Sequence, residues 1–538
     1  ATLEALEHGN LFIISLDSER RWYRYHHLFA NLLQQRLKTS PEHNIRELHI
    51  RARDWLSKEG LEREALRHSL LAEDFEEAAW IINRLAMEVV QKGEYRTVFD
   101  WINSLPDDIQ QEHPFLWALD VWALRMEGRF EAAETRITEV EEAIKNPAHK
   151  ASADLETIKG LINSHKAYIA FIRGKFDETI SISRESLTQL PQDMVEIRTL
   201  TALYLGVALR YKGSLQEALE IYLSTLPYGK QLIGSSIAVF CFIHLSDLYY
   251  DLGELQKSKE TAEQAIQFTN QHTGRPDWPF MGHLYVCIGR VLRQWGRLTE
   301  ALEVTLKGVG LCRQWNVADF QALACIELAD VYFSLGEKEL AQDALKESLQ
   351  IYQEISPWAS GLVAAHQAKH SLGFSEIEPA IAWFGGTDIK ANSPIDLSRD
   401  IEFLTQARVF IVQNKLDEGL ALLERISEVS DEIEKKHTAL EATILQAKAL
   451  FIRKDTEKAM ERLEQALTLG EAEEYIQIFV DEGQPMAKLL YEALSRGIAP
   501  DYVQRLLAAF PVEKSEQVHR PQPQSQGFEW VEPLSDRE

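Results

Sequence analysis

The chain has 538 residues, 45% of them hydrophobic and 26% charged, with a formal net charge of -26 at pH 7. This length exceeds what one hydrophobic core supports unless the fold is modular. The charge, which solvates many outer helix faces, also repels phosphate backbones and so excludes most of the surface from binding nucleic acid.

Taken in chain order, Leu3 to Gly9 reads as a helix and Leu11 to Asp17 as a short β-type run. Asp17 to Arg21 reads as a turn, Trp22 to Tyr25 as a second strand, and His26 to Leu37 as a helix. Helix, strand, turn, strand, helix is the pattern of the end of a winged helix, assigned to residues 1–40. Residues 41–112 form a helical arm: Ile45 to Glu59, Glu62 to Ala72 and Phe75 to Lys92 each carry apolar residues at i, i+3, i+4 and i+7. Gly60, Asp74 and Gly93 separate them.

From residue 113 to about 510 a repeat of about forty residues takes over. Its turns fall at Gly128, Gly174, Gly213, Gly253, Gly296, Gly336, Asn414 and Lys454, with one gap of 78 that holds a degenerate copy around Gly373. Five positions after each turn stands Ala133, Thr179, Ala218, Ser258, Ala301, Ala341, Gly419 or Ala459. Seven before it, from the second copy on, stands Ala167, Gly206, Ser246, Gly289, Ala329, Ala407 or Ala447. Two helices joined by a tight turn approach closely only where such short side chains face each other. Spacing alone fits HEAT-type units, whereas the small-residue pattern fits tetratricopeptide units. The expected fold is all-α, a right-handed superhelix of tetratricopeptide-like helix pairs after a small winged-helix remnant. Residues 355–398 break the rhythm with Pro357, Gly361, Gly385, Gly386 and Pro394, as a bend, a hinge or a degenerate copy would. Residues 511–538 are rich in Pro, Gln and Ser and read as a flexible linker.

The first helix of each pair should line the inside of the superhelix. Six residues before the turns stand Trp122, Tyr168, Val207, Asp247, Arg290, Asp330, Arg408 and Lys448. Three before stand Arg125, Phe171, Arg210, Tyr250, Arg293, Phe333, Ile411 and Phe451. Arg, Asp and aromatic residues on one concave surface suit a ligand with an anionic part and a flat part, since Arg forks bind carboxylate or phosphate and rings stack. Arg210, Asp247, Tyr250, Arg290, Arg293, Asp330 and Phe333 are therefore the candidate site. The competing interpretation is that Arg290–Asp330 and Arg210–Asp247 are inter-repeat ion pairs setting superhelical register. Trp278, Tyr285, Trp295, Trp315 and Tyr332 read as core, with Trp278, in an Arg-Pro-Asp-Trp-Pro loop, as the exception.

No run of eighteen apolar residues occurs, so no membrane span is expected. Cys241, Cys287, Cys312 and Cys325 show no metal-site spacing and read as buried free thiols of a reducing cytoplasm. No Gly-flanked nucleophile, H-E-x-x-H or G-x-x-x-x-G-K-[ST] motif is present, so no catalytic role is expected.

Three segments together resemble one family. Arg21 to Leu33, Arg-Trp-Tyr-Arg-Tyr-His-His-Leu-Phe-Ala-Asn-Leu-Leu, resembles the end of the winged-helix domain of large ATP-dependent LuxR-type transcriptional regulators, the MalT-like members of the signal-transduction ATPases. The forty-residue array resembles their sensor domain, and Glu532 to Glu538, Glu-Pro-Leu-Ser-Asp-Arg-Glu, the lead-in to their helix-turn-helix. The resemblance implies that this chain is a fragment, with the nucleotide-binding core before it and the DNA-reading domain after it. It implies no cofactor here but ATP or ADP in the full-length parent, and DNA contact only through the C-terminal domain. It implies an inducer, a small molecule or a regulatory protein, whose binding favours self-association of the parent. His26 matches the histidine of the Met-His-Asp-Leu motif that contacts the β-phosphate of ADP in such proteins, although His27 replaces the Asp. A tetratricopeptide scaffold that grips a partner protein or peptide, without transcriptional output, is the alternative.

Overall fold

The computed structural model describes residues 12–15, 23–38, 44–91, 94–126, 128–145, 155–232, 236–274, 278–315, 317–390 and 392–511. The helix expected from Leu3 to Gly9, the turn from Asp17 to Arg21 and the linker beyond residue 511 lie outside the described residues.

At the N-terminal end β1 (Ile13–Ser15) pairs antiparallel with β2 (Tyr23–Tyr25), Ile13 opposite Tyr25, and leads into α1 (His27–Lys38). The Phe12 and Phe29 rings stack at 5.1 Å and tie the hairpin to that helix. The arm comprises α2 (Ile45–Lys58), α3 (Glu62–Leu71), α4 (Phe75–Gln91), α5 (Tyr95–Asn103) and α6 (Asp107–Glu112). Asn44 caps α2 by accepting from the Arg46 and Glu47 amides. The apolar stripes of α3, α4 and α5 meet at Leu66, Ile81, Ile82, Val98 and Ile102, all buried.

The repeat array then runs as antiparallel pairs. These are α7 (Pro114–Met126) with α8 (Phe130–Ala143), α9 (Leu155–Ile172) with α10 (Phe176–Gln189), and α11 (Val195–Tyr211) with α12 (Leu215–Gln231). Next come α13 (Ile237–Asp251) with α14 (Leu255–Thr273), α15 (Gly282–Gln294) with α16 (Leu298–Trp315), and α17 (Ala318–Leu335) with α18 (Lys338–Ile355). The last pairs are α19 (Pro357–Gly373) with α20 (Ile377–Gly386), α21 (Asp400–Val412) with α22 (Leu416–Glu432), and α23 (Lys436–Ile452) with α24 (Thr456–Glu471). Three short helices, α25 (Gln477–Val480), α26 (Gln484–Ser495) and α27 (Pro500–Ala509), close the end over Tyr475, Phe479 and Tyr502. No described helix is long and apolar enough to cross a membrane.

The turns work as the spacing predicts. Gly128, Gly174, Gly213, Gly253, Gly296 and Gly336 have φ between 70° and 83°, while Asn414 and Lys454 adopt the same left-handed conformation at 59° and 67°. At each, the next amide reaches the carbonyl five residues back, as in Arg129 to Leu124 (2.9 Å) and Asp455 to Leu450 (3.0 Å). That is the Schellman closure of a helix, which leaves few carbonyls unsatisfied.

The small residues facing each other across every pair are buried. Gly289 shows how tight the contact is: a Cβ there would lie 2.0 Å from Thr305 Oγ1 and 3.3 Å from the Ala301 carbonyl. Gly289→Ala should cost about 1–3 kcal/mol as overpacking, and Thr305→Ala beside it should recover part of the loss. Urea midpoints of the two single variants and the double variant check this.

The interval between Gly336 and Asn414 is a regular repeat, not a degenerate one. Its turn is Ser375, at φ 64°, which splits the gap of 78 into two intervals of 39. Counted from Ser375, the small positions are Ala368 and Ala380, both buried, rather than His366 and Glu378. Gly373 is the last residue of α19 and is small for another reason: a Cβ would lie 2.3 Å from the Phe333 ring. The loop 387–399 after this pair absorbs Pro394 and carries a 3₁₀ turn at Leu397–Arg399 before α21.

Successive turns of the superhelix touch. Trp358 Nε1 donates to the Ile172 carbonyl at 2.9 Å, Trp295 Nε1 to the Glu473 carbonyl at 3.0 Å, and the Ile476 amide to the Gln294 carbonyl at 2.7 Å. Turn glycines sit at these seams. A Cβ on Gly174 would lie 2.7 Å from Trp358, on Gly213 2.8 Å from Ile433, and on Gly296 3.1 Å from Ile476.

Candidate functional site

The first helix of each pair carries the predicted positions, and from α11 to α19 they converge into one buried network. Asp247 on α13 accepts from Arg290 Nη2 at 2.7 Å and lies 3.7 Å from Arg210 Nη1. Arg210 Nε donates to Asp251 Oδ2 at 2.6 Å. The Arg290 guanidinium also covers the Tyr250 ring, 4.1 Å from its centre, and lies 3.4 Å from Glu327. Arg293 Nε donates to the Asp330 carbonyl at 3.0 Å and to Ser334 Oγ at 2.8 Å, and its Nη2 reaches Asp481 Oδ2 at 2.5 Å. Asp330 Oδ1 lies 2.6 Å from His370 Nε2 and 3.3 Å from His366 Nδ1, while Phe333 stacks flat on His370 at 4.4 Å.

The Arg210–Asp247 pairing is present but long; Asp251 is the closer partner of Arg210. Arg290 does not pair with Asp330. It binds Asp247, one repeat earlier, and Asp330 turns to the histidines of α19. The seven residues are thus brought together, but as partners of one another and of neighbours rather than as free groups lining an open groove. A surface pocket does occur elsewhere, near Lys175, Asp177, Lys212 and Asp396, and the candidate residues do not line it.

Burial alone would raise the Asp247 carboxyl, but the Arg290 and Arg210 charges outweigh it and hold it well below the usual carboxylate range. Burial acts the same way on Asp330 and is outweighed by Lys369, His366 and Arg293. Burial pushes the Cys287 thiol up, and all four cysteines are free and buried.

Sequence reasoning missed the residues that complete the network. Gln294 Nε2 donates to Tyr250 Oη at 2.9 Å, and His437 Nε2 lies 3.3 Å from the same oxygen. Glu482 accepts from Arg408 at 2.7 Å and Lys448 at 2.7 Å. Asp481 and His437 come from the following superhelical turn, so no local spacing points to them. Trp278, expected to stand apart, packs edge-on against Phe280 at 4.5 Å, which in turn meets Trp315 at 4.8 Å. His26 sits directly before α1, its amide donating to the Phe12 carbonyl at 2.6 Å.

Comparison with known proteins gives two family matches. The MalT-like TPR region matches residues 160–496, and the MalT winged helix domain matches residues 1–45. The HTH-type transcriptional regulator MalT of Yersinia pestis (strain Pestoides F) is 25% identical over 511 residues, covering 93% of this chain and 55% of the relative. The protein of the same description from Serratia proteamaculans (strain 568) is 24% identical over 505 residues with the same coverage. The chain spans about half the length of the curated relatives it matches. Among solved structures, a Rap protein complexed with competence and sporulation factor is similar at 14% identity and a TM-score of 0.39, over 74% of this chain and 98% of that one.

Proposed function

Because the chain belongs to the family of the MalT-like TPR region, we propose that it is the effector-sensing segment of a transcriptional regulator. An inducer, a small molecule with an anionic part or a regulatory protein, binds the inner face of the superhelix and changes how its turns close. In the full-length parent, which holds ATP or ADP outside this segment, that change favours self-association and DNA binding through a separate C-terminal domain. His26, at the start of α1, is the residue we assign to reading the nucleotide state there.

One observation carries the reading: an inner-face charge, Arg293, pairs with Asp481 across the seam between superhelical turns. An effector anion that takes the guanidinium from Asp481 alters a contact between elements 188 residues apart in sequence. An effector shifts an equilibrium only through different affinities for its two states, and here closed and loosened seams offer that difference.

The test is thermal-shift screening of the chain against nucleotides and small metabolites, each variant read against its own ligand-free melt. A hit should stabilise the parent chain and stabilise Arg290→Ala and Arg293→Ala less. Equal stabilisation of all three sinks the inner-face reading. The second reading, a scaffold for a partner protein, is favoured by the prior pairing of the inner-face groups. Binding of a protein or peptide with no small-molecule hit supports it.

A further inference from the structure

We propose that Asp330, His366 and His370 form a binding site for a divalent transition-metal ion, with zinc as the occupant their chemistry fits best. The inference rests on the fold and is independent of the inducer reading. His366 and His370 are four residues apart on α19, so their imidazoles rise from one face, one turn apart. Asp330 comes from α17 and faces them. One ligating atom from each of the three lies within 4.8 Å of the others.

The distances fit a small tetrahedral ion. Zinc bonds of about 2.0–2.2 Å to nitrogen and oxygen place ligand atoms about 3.3 Å apart at tetrahedral angles. Asp330 Oδ1 is already 3.3 Å from His366 Nδ1, and its 2.6 Å contact with His370 Nε2 needs only a small opening. Phe333, stacked parallel on the His370 ring, fixes that ring's plane before any ion arrives. His370 Nδ1 is buried without a hydrogen-bond partner, so nothing ties the ring down except the Asp330 side and the Phe333 face. His366, with its side chain 16% exposed, supplies the path for an ion and leaves a fourth position for water.

A second cluster of similar make-up shows why this one is chosen. Asp247, His283 and Cys287 also bring one ligating atom each within 4.8 Å of the others. There Arg290 donates directly to the Asp247 carboxylate at 2.7 Å with Arg210 beside it, so a cation would displace or face two guanidinium groups. No arginine donates to the Asp330 carboxylate among the described residues; Arg293 uses its main-chain oxygen instead and is matched by Asp481. Lys369, the neighbour of both histidines, is the remaining cation near Asp330. Its charge opposes the metal, which gives the site a built-in check.

Tag-free chain, stripped with chelator, is titrated with Zn²⁺ in a calorimeter and with Co²⁺ in a spectrophotometer. One equivalent should bind, with tetrahedral Co²⁺ bands and no thiolate charge-transfer band. Affinity should fall at least about a hundredfold in His366→Ala and His370→Ala, more than for loss of an outer-shell partner. It should be unchanged in Cys287→Ser and tighter in Lys369→Met. Should His370→Ala fail to fold, the change at the less buried His366, His366→Ala, carries the test. The proposal is overturned by no stoichiometric binding, by binding unchanged in His366→Ala, or by a thiolate band that Cys287→Ser abolishes.

Discussion

Arg293→Ala should cost about 3–5 kcal/mol, among the largest effects of any single change in the array. The side chain is 5% exposed and its partner Asp481 8%, so removing the guanidinium leaves a buried carboxylate without its ion-pair partner. Ser334 Oγ and the Asp330 carbonyl lose a donor in the same step. The loss should be felt at the seam first. The Ile476 amide, which donates to the Gln294 carbonyl across the same seam, should lose hydrogen-exchange protection at lower urea than the global transition. Asp481→Asn should also destabilise, and Arg293→Met with Asp481→Leu should cost less than the two single changes together. Strict additivity would mean that the two groups do not act as a pair.

The helix pairs were legible because their determinants are local. A left-handed turn residue, a small residue five after it and another seven before it lie within a dozen positions, and each answers one steric demand. The inner face was legible for the same reason, since its positions keep a fixed register to the turn. What failed was a glycine read by identity alone. Gly373 resembles a turn residue, but it is small so that Phe333 can pack over it, and the turn falls on Ser375. Several turn glycines likewise answer two demands, a positive φ and the pressure of a side chain from the next superhelical turn, as at Gly174 under Trp358.

The partners of the candidate site were not legible. Asp481 and His437 meet Arg293 and Tyr250 only once the array has wound through a full turn, and one-dimensional spacing carries no record of that pitch. Glu482 meets Arg408 and Lys448 from a segment beyond the last regular helix pair. Arg290 could be placed on the concave face, yet whether it faced Asp330 or Asp247 depended on the stagger between stacked repeats. The alternative of structural ion pairs fits the geometry of Arg290 with Asp247, although not the particular pairing with Asp330. The same network remains the element that an effector would have to reorganise under the proposed function, so the two interpretations concern one set of contacts in two states.

Glu482→Gln is expected to produce the second large effect and to change the acid stability of the chain. Glu482 accepts from Arg408 Nε at 3.1 Å, Arg408 Nη2 at 2.7 Å and Lys448 Nζ at 2.7 Å, joining α21 and α23 to the segment after α25. Burial would raise its carboxyl, but Arg408 and Lys448 outweigh burial and bring it from 4.5 down to about 2. A depressed folded value means that the unfolded chain binds the proton more tightly. The stabilisation is therefore complete above about pH 4.5 and is lost as pH falls toward 2. At 1.36 kcal/mol per unit it amounts to roughly 3 kcal/mol. Gln keeps an acceptor but no charge, leaving Arg408 with Glu441 alone at 2.6 Å and Lys448 uncompensated in a half-buried position. The variant should lose about 3–5 kcal/mol at pH 7. Between pH 5 and 3 its stability should fall less steeply than that of the parent chain, as read from urea midpoints across that range. An unchanged slope would show that Glu482 is already protonated or unpaired in the folded chain, and the bridge between α21 and α23 would then have to rest on Glu441.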